Sequence, residues 1–468
     1  MTIELNQSTQ FKVKRLEIVT KFGNINLSNA FQEINIYDSM FMPCIRGEVL
    51  IQDSVGILNR LLLDGSEFIR IAISKSDESS DTLFERTFKI YKVSNRKNVS
   101  QNSEIYLLHF ISEEMIYSMQ QKIRQSFTGQ TYTGMAIIIL VNYLKVTGDK
   151  IAFIDATQGL HTHVIPNLSP FDALNWIVKK ALNEENLPNF LFFENKKGYC
   201  FVSLSSLIKE PTIFDINFNP KNINDIEDSS FLGASDMKVV SQFDFLQSIE
   251  GGVYAGKFIG IDPITRQVRV NRIDYQKTYN RTKYHLNKYP NFSGSKNREG
   301  LDAAQMFDSK VSLYPFATTR GTTPYIQTNS NQEGTIIDKT HFYVFQRMPI
   351  LTNLLQTTIH LTMPGNFALS SGYTVNLNVP TRTTKVDDGS NFDDSLSGKY
   401  IITATHHVIR PDKHETVIEV ATDSTNKPFV INQTTYMQEA LAEWWILILQ
   451  ERTVLYGGLA LSKIVLTN

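Results

Sequence analysis

The sequence predicts a mainly β protein of the α+β class, in which two strand-rich regions flank a region of mixed helices and strands. Alternating apolar residues recur from Phe11 to Phe110 and again from Lys238 onwards. Between them, apolar residues recur at helical spacing. The 468 residues exceed the roughly 250 to 300 at which a single hydrophobic core stops growing, so several domains are expected.

The amino-acid composition and the balance of charges indicate which kinds of molecule the protein binds. Apolar residues make up 42% of the chain and charged residues 20%, which is ordinary for a globular protein. The 46 Lys and Arg residues almost cancel the 47 Asp and Glu residues. This balance argues against a protein that holds nucleic acid or an anionic membrane mainly by its net charge. The partners are therefore expected to be other proteins.

Cysteine usage and the N-terminus point to a cytoplasmic site of synthesis. Cys44 and Cys200 are the only cysteines, too few for a disulfide framework or a thiolate zinc site, and we expect two buried, reduced thiols. The N-terminus has neither the basic nor the apolar region of a secretory signal. The apolar run at residues 444–449 is far shorter than the ~20 residues of a membrane helix, so no membrane span is expected.

Residues 1–112 are predicted to form the first strand-rich domain. Alternating runs such as 105–110 are separated by polar turns, which indicates an antiparallel β-barrel or sandwich. Residues 55–63 interrupt this pattern as a short helix or bulge, and Asp64-Gly65 then forms a turn.

Residues 113–230 are predicted to form an α+β middle domain. Helical spacing occupies 112–125 and 132–144. Ser169 and Pro170 provide an N-cap and a first-turn proline ahead of an apolar stripe. These helices are expected to pack on strands at 189–193 and 199–204.

Strand character returns at 231–275 and 341–432, which we assign to a second strand-rich domain. The intervening residues 276–340 are polar and partly basic. They are predicted to be a domain-sized insertion, because a structureless loop of that length is improbable in a compact domain. Residues 433–468 are predicted to be a C-terminal helical tail.

The insertion begins with a basic segment that is a candidate interface. Residues 276–298 contain no acidic residue. Three alternatives stay open: a solvated surface, a contact with an acidic protein surface, and nucleic-acid binding with bases stacked on its aromatic rings. The basic candidates are Lys277, Arg281, Lys283 and Lys288, followed by Lys296 and Arg298, and the interleaved rings are Tyr279, Tyr284, Tyr289 and Phe292.

The tail carries a second candidate interface. Its apolar residues are nearly consecutive and so cover more than one helix face, which a lone exposed helix cannot sustain in water. They are expected to bury against a second surface, such as another subunit. These residues are Trp444, Trp445, Ile446, Leu447, Ile448 and Leu449.

No catalytic or cofactor signature emerges, so the chain is predicted not to be an enzyme and to need no metal or cofactor. The histidine pairs lack carboxylate partners at metal-ligand spacing. The acidic pairs are adjacent in sequence, so they do not face each other across a cleft as a glycosidase requires. Gly251-Gly252 lacks the Lys and Ser or Thr of a phosphate loop. The pairs considered are His161 with His163, His406 with His407, Glu113 with Glu114, Asp387 with Asp388, and Asp393 with Asp394.

Several stretches together resemble a known family. In the first domain they are 37–40, 46–53 and 62–71, the last reading Leu-Leu-Asp-Gly-Ser-Glu-Phe-Ile-Arg-Ile. In the second they are 363–377, which begins Met-Pro-Gly-Asn-Phe, and 398–407, and the helix start at 169–174 adds a match in the middle. With these stretches the chain, over about residues 10 to 425, resembles the baseplate central hub proteins of T-even-like contractile-tailed phages.

This resemblance implies a fold and a role. The fold would be two tube-protein-like β-barrel domains, and the protein would be a homotrimer forming a pseudo-sixfold ring. The ring would join the tail tube protein above to the central spike protein below and line the conduit, within the virion tail baseplate and after assembly in the host cytoplasm. Tape measure and baseplate wedge proteins are further candidate partners, and no sequence-specific nucleic acid binding is implied. The basic segment and the C-terminal helix depart from the family pattern.

Three rival classes remain. The hub part of a VgrG-like secretion spike shares the duplicated fold, but that class is expected to carry a downstream β-helical needle, and no short Gly-rich repeats occur here. A tail adhesin would fit the strand content alone. A tail-associated peptidoglycan hydrolase would need the catalytic carboxylates that the sequence does not arrange.

Overall fold

A computed structural model describes residues 11–21, 23–60, 63–75, 83–100, 103–218, 231–261, 266, 268–292, 310–315, 340–381 and 392–427. The chain divides into two compact units, Met1–Lys427 and Pro428–Asn468, and every described residue lies in the first.

The first strand set alternates buried and exposed positions, as the sequence predicts. In its last strand Tyr106, Leu108 and Phe110 are fully buried, and each such side chain contributes roughly 1.5 to 3 kcal/mol. A short helix, α1 (Ile57–Arg60), lies within the predicted interruption. The strands are β1 (Phe11–Thr20), β2 (Gly23–Asn26), β3 (Phe31–Ser39), β4 (Arg46–Asp53), β5 (Phe68–Lys75), β6 (Phe84–Ser100) and β7 (Ser103–Ile111).

The middle region mixes helices and strands around its own core. The predicted N-cap is confirmed: Ser169 accepts a hydrogen bond from the Asp172 N–H, and Pro170 is the first helical residue. The two strands of its hairpin, β11 (Phe190–Asn195) and β12 (Gly198–Ser203), are buried throughout. The elements are α2 (Glu113–Gln120), β8 (Ser126–Gln130), α3 (Tyr132–Ile138) with a π-helical continuation (Ile139–Tyr143), β9 (Ile151–Ile154), β10 (His161–Val164), α4 (Pro170–Val178), β11 (Phe190–Asn195), β12 (Gly198–Ser203) and α5 (Leu204–Lys209).

The remaining elements form a second strand set and the segments packed around it. The strand β18 (Tyr289–Pro290) pairs with β24 (Ser424–Thr425), and β19 (Lys310–Pro315) pairs with β16 (Gly256–Ile261). In chain order they are β13 (Asp215–Phe218), β14 (Phe231–Ala234), β15 (Asp236–Ser241), α6 (Phe245–Gly251), β16 (Gly256–Ile261), β17 (Val268–Ile273), α7 (Tyr275–Arg281), β18 (Tyr289–Pro290), β19 (Lys310–Pro315), α8 (Thr340–Leu354), β20 (Thr357–Pro364), β21 (Thr374–Asn378), β22 (Gly398–Ile409), β23 (His414–Thr422) and β24 (Ser424–Thr425).

The two strand sets have the same strand order. The first runs β3-β4-β7-β6-β5-β1-β2 and the second β15-β20-β23-β22-β21-β13-β14. Even an irregularity is shared, because β6 is shifted against β7 between Ile90 and Lys92, and β22 is shifted against β23 between Ile402 and Ala404. The sets differ at one end, where β13 pairs in parallel with β21 and β14 whereas β1 pairs antiparallel with β5 and β2.

The mainly β, α+β class is confirmed, but the two strand sets are not independent barrels. The first part of β22 pairs with β21 and its last part pairs with β3, which joins the sets into one 14-stranded sheet. The hydrophobic pattern of β22 predicted a strand, yet the pattern contains no information about which strand lies beside it. None of the described helices is long and apolar enough to cross a membrane.

Candidate functional site

The two strand sets meet along the ladder between β3 and β22. Its register places Tyr37 opposite His406, and their rings stack with centroids 4.3 Å apart. The Nε2 atom of His406 lies 2.8 Å from Oδ1 of Asn35. The ladder therefore joins the sets by backbone pairing and by side-chain contacts.

A buried carboxylate, Asp38, strengthens this ladder. It accepts hydrogen bonds from Thr405 Oγ1 in β22, from Ser370 Oγ at 2.5 Å and from the Ser371 N–H at 3.3 Å. Burial raises the pKa of Asp38 to about 6. All three donors belong to the second strand set, so Asp38 holds the loop between β20 and β21 against β3.

The same loop inserts an aromatic ring into the core of the first strand set. Phe367 stacks on Phe84 at 5.1 Å between ring centroids, and its own centroid lies 4.6 Å from those of His407 and His414. Burial lowers the pKa of His414 to about 3, so its ring is neutral. Gly365 is required here because a Cβ at that position would overlap the His414 ring.

The hairpin of the middle region contacts both strand sets. Glu194 accepts hydrogen bonds from the Ile45 N–H at 2.9 Å and from Ser112 Oγ at 2.5 Å, and it lies 3.8 Å from the Arg86 guanidinium. Burial raises the pKa of Glu194 to about 7, although Arg86 acts in the opposite direction.

The next residues of the hairpin reach the second set. The Lys196 N–H donates to Ser370 Oγ at 3.1 Å, and Arg86 donates to the Lys196 carbonyl at 2.7 Å. We call this meeting point of the two strand sets and the hairpin the three-way junction, defined by Asp38, Arg86, Glu194, Lys196 and Ser370.

The three-way junction connects the regions of the chain. Its two carboxylates, Asp38 and Glu194, accept hydrogen bonds from backbone N–H and hydroxyl groups of neighbouring elements. These hydrogen bonds hold the neighbouring elements together. Within the described ranges, no group of three or more His, Cys, Asp and Glu residues is placed to hold a metal ion.

The histidine and carboxylate pairs considered in the sequence have local partners. His161 and His163 lie on the same face of β10 and stack with Tyr132, at 4.1 and 5.6 Å between centroids. Glu113 accepts a hydrogen bond from the Tyr117 hydroxyl and Glu114 one from Lys150, so the two carboxylates have different partners. Asp393 accepts from Ser395, and Asp387-Asp388 lies outside the described residues.

The basic segment lies on and after α7. The Lys277 side chain is 83% exposed and lies 3.7 Å from Asp274. Arg281 and Lys283 line a cavity of about 500 Å³, which Lys209, Glu184 and Glu185 also line. Lys288 Nζ lies 5.2 Å from the centroid of the Tyr289 ring.

Two rings of the basic segment belong to the protein core. Tyr279 and Phe292 are buried, and His285 stacks on Tyr279 at 3.7 Å between centroids. The possibility that nucleic-acid bases stack on these two rings is therefore wrong, because neither face is accessible. Tyr284 is 39% exposed. The protein-contact interpretation of the basic side chains stays a prediction, and Lys296 and Arg298 lie outside the described residues.

The apolar tail residues Trp444, Trp445, Ile446, Leu447, Ile448 and Leu449 also lie outside the described residues. Their assignment to an interface stays a prediction.

Sequence reasoning missed the residues of the three-way junction. Asp38 follows Ile34 and Ile36 at the inward positions of an alternating strand, and Glu194 ends the buried run Phe-Leu-Phe-Phe. An acid at an inward strand position is the signal that could have found both, because a buried charge needs partners.

Solved structures identify the fold. A tail protein from Neisseria meningitidis MC58 is 10% identical, with a TM-score of 0.50 over 88% of this chain and 97% of that one. The 43 kDa tail protein of prophage MuSo2 from Shewanella oneidensis is 9% identical, with a TM-score of 0.51 over 88% of this chain and 99% of that one. The chain shares the fold of these two tail proteins. No protein-family model and no curated protein matches its sequence.

Proposed function

We propose that the chain is the structural central hub of a contractile phage-type tail baseplate and works as a homotrimer. Three copies form a pseudo-sixfold ring with the tail tube protein above and the central spike protein below. The ring lines the conduit and transmits force between its two neighbours. It performs no chemical reaction and needs no cofactor.

The duplicated strand order is the observation that carries this proposal. Two sets with the same strand order lie side by side in one chain and share the β3–β22 ladder. Three such chains present six similar strand sets, which match a sixfold tube. The three chains also keep the threefold symmetry that matches a spike. The fold shared with two tail proteins supports the same role.

The proposal also covers location and secondary partners. The protein is synthesised and assembled in the bacterial cytoplasm and resides in the virion tail baseplate. The tail residues 444–449 and the basic residues Lys277, Arg281, Lys283 and Lys288 are the candidate contacts with other subunits, with the tape measure protein or with baseplate wedge proteins.

The oligomeric state tests the proposal. We expect the full-length protein, alone or with its co-expressed spike, to contain three copies of the 53.3 kDa chain when measured by mass photometry. Native mass spectrometry of the same sample provides the copy number independently. A stable monomer or a hexamer with the spike bound would refute the trimeric hub.

A further inference from the structure

In the described part of the 14-stranded sheet, β15 and the second half of β6 are among the strand segments that lack a strand partner on one side. The strand β15 pairs only with β20. Residues 91–100 of β6 pair only with β7, because the ladder with β5 ends at Lys89. Apolar side chains lie on both segments: Val240 and Tyr91 are each 50% exposed. Unpaired edges of this kind are templates for pairing with another chain.

The duplicated strand order matches these two edges to each other. The counterpart of β6 is β22, and the counterpart of β15 is β3. In β22 the segment that corresponds to the open part of β6 is covered, because β3 pairs with it in antiparallel orientation. The chain therefore already makes, once and internally, the contact that its two open edges would make between copies.

We propose that β15 of one copy pairs antiparallel with residues 91–100 of β6 in the next copy. The junctions around the ring then alternate between β3 with β22 inside a chain and β15 with β6 between chains. The contact joins different surfaces of the two copies, so its repetition closes a ring when the rotation permits. The number of copies in that ring rests on the proposed function.

The internal ladders also fix the register. Ile401 in β22 and Lys89 in β6 occupy equivalent positions of the two strand sets. His406 lies five residues after Ile401, Ser94 lies five residues after Lys89, and both intervals contain the shared register shift, so His406 and Ser94 are also equivalent. Since Tyr37 lies opposite His406, its counterpart Ser241 is expected opposite Ser94. This equivalence follows from the residues that are paired across four neighbouring strands. They are Tyr37, Arg46, Ile111 and Lys89 in the first set and Ser241, Thr358, Ala421 and Ile401 in the second.

A disulfide between copies tests this register. The full-length Ser94→Cys/Ser241→Cys variant should, after mild oxidation, run at the mass of a covalent trimer on a non-reducing gel. Directly opposed antiparallel residues are about 4.5 to 5.5 Å apart at Cα, which a disulfide can span. The native Cys44 and Cys200 are buried and do not compete. The internal counterpart, Tyr37→Cys/His406→Cys, should form its disulfide within one chain and run as a monomer.

Three controls make the result decisive. Each single variant should stay monomeric on the gel, and Ser94→Cys/Asn24→Cys, which pairs the same β6 position with the other edge strand β2, should form no link between copies. If mass photometry shows trimers but the Ser94/Ser241 pair forms no link between copies, the edge assignment is wrong and the proposed function stands. If the protein stays monomeric even with its co-expressed spike, both fail.

Discussion

Truncation of Phe367 to alanine is expected to lower the free energy of unfolding by about 3 to 5 kcal/mol, the usual cost of removing a buried phenylalanine ring. The effect should be large because this ring lies in a loop of the second strand set but packs in the core of the first. Its loss leaves a cavity and also weakens the connection between the sets. The midpoint of urea unfolding measures the change.

A matched control separates this role from a general effect of losing a phenylalanine. Phe41 lies in the turn between β3 and β4 and is 42% exposed, so Phe41→Ala should change the free energy of unfolding by about 0.5 kcal/mol or less. Equal effects of the two substitutions would contradict the assignment of Phe367 as the link between the strand sets.

Replacement of Asp38 by alanine is expected to lower the free energy of unfolding by about 3 kcal/mol. The substitution leaves Thr405 Oγ1, Ser370 Oγ and the Ser371 N–H buried without their acceptor, at roughly 1 to 3 kcal/mol each before relaxation. Asp38→Asn is the matched control, because it keeps the size of the side chain and one acceptor oxygen. It should be much less destabilising than Asp38→Ala in the same urea titration at neutral pH.

The pH dependence of the asparagine variant gives a second readout. The pKa of Asp38 rises from 3.8 to about 6 on folding. The stabilisation that comes from binding this proton in the folded protein is therefore fully present below about pH 4. This part of the free energy of unfolding is lost as the pH rises through 6. Between pH 4 and pH 7.5 the wild type should thus lose on the order of 2 to 3 kcal/mol relative to Asp38→Asn. A difference between the two proteins that is the same at both pH values would contradict the buried, proton-binding carboxylate.

The local elements of the fold were predictable because their signals are local. The alternation in β7 and the Ser169-Pro170 start of α4 depend on a few neighbouring residues, and both are as predicted. The shared strand order shows two similar strand sets, and their assignment as tube-like domains stays a prediction. The domain boundaries drawn from the sequence stay predictions.

The connections between regions were not predictable from the same patterns. The pairing of β3 with β22 joins residues more than 300 positions apart, and period-2 patterning specifies only which face of a strand is buried. The junction carboxylates were missed for a related reason: the donors to Asp38 come from a loop and a strand far along the chain. Tyr279 and Phe292 likewise belong to a core cluster that also contains residues of the distant elements β12 and α8.

Cryo-electron microscopy of the purified full-length protein shows whether three chains assemble into a hub ring. We expect a closed ring with threefold symmetry, in which six similar strand sets surround a central opening and the β3–β22 and β15–β6 ladders alternate. Particles that contain only the two strand sets of a single chain would contradict the trimeric ring. An open filament of repeating chains would contradict it as well.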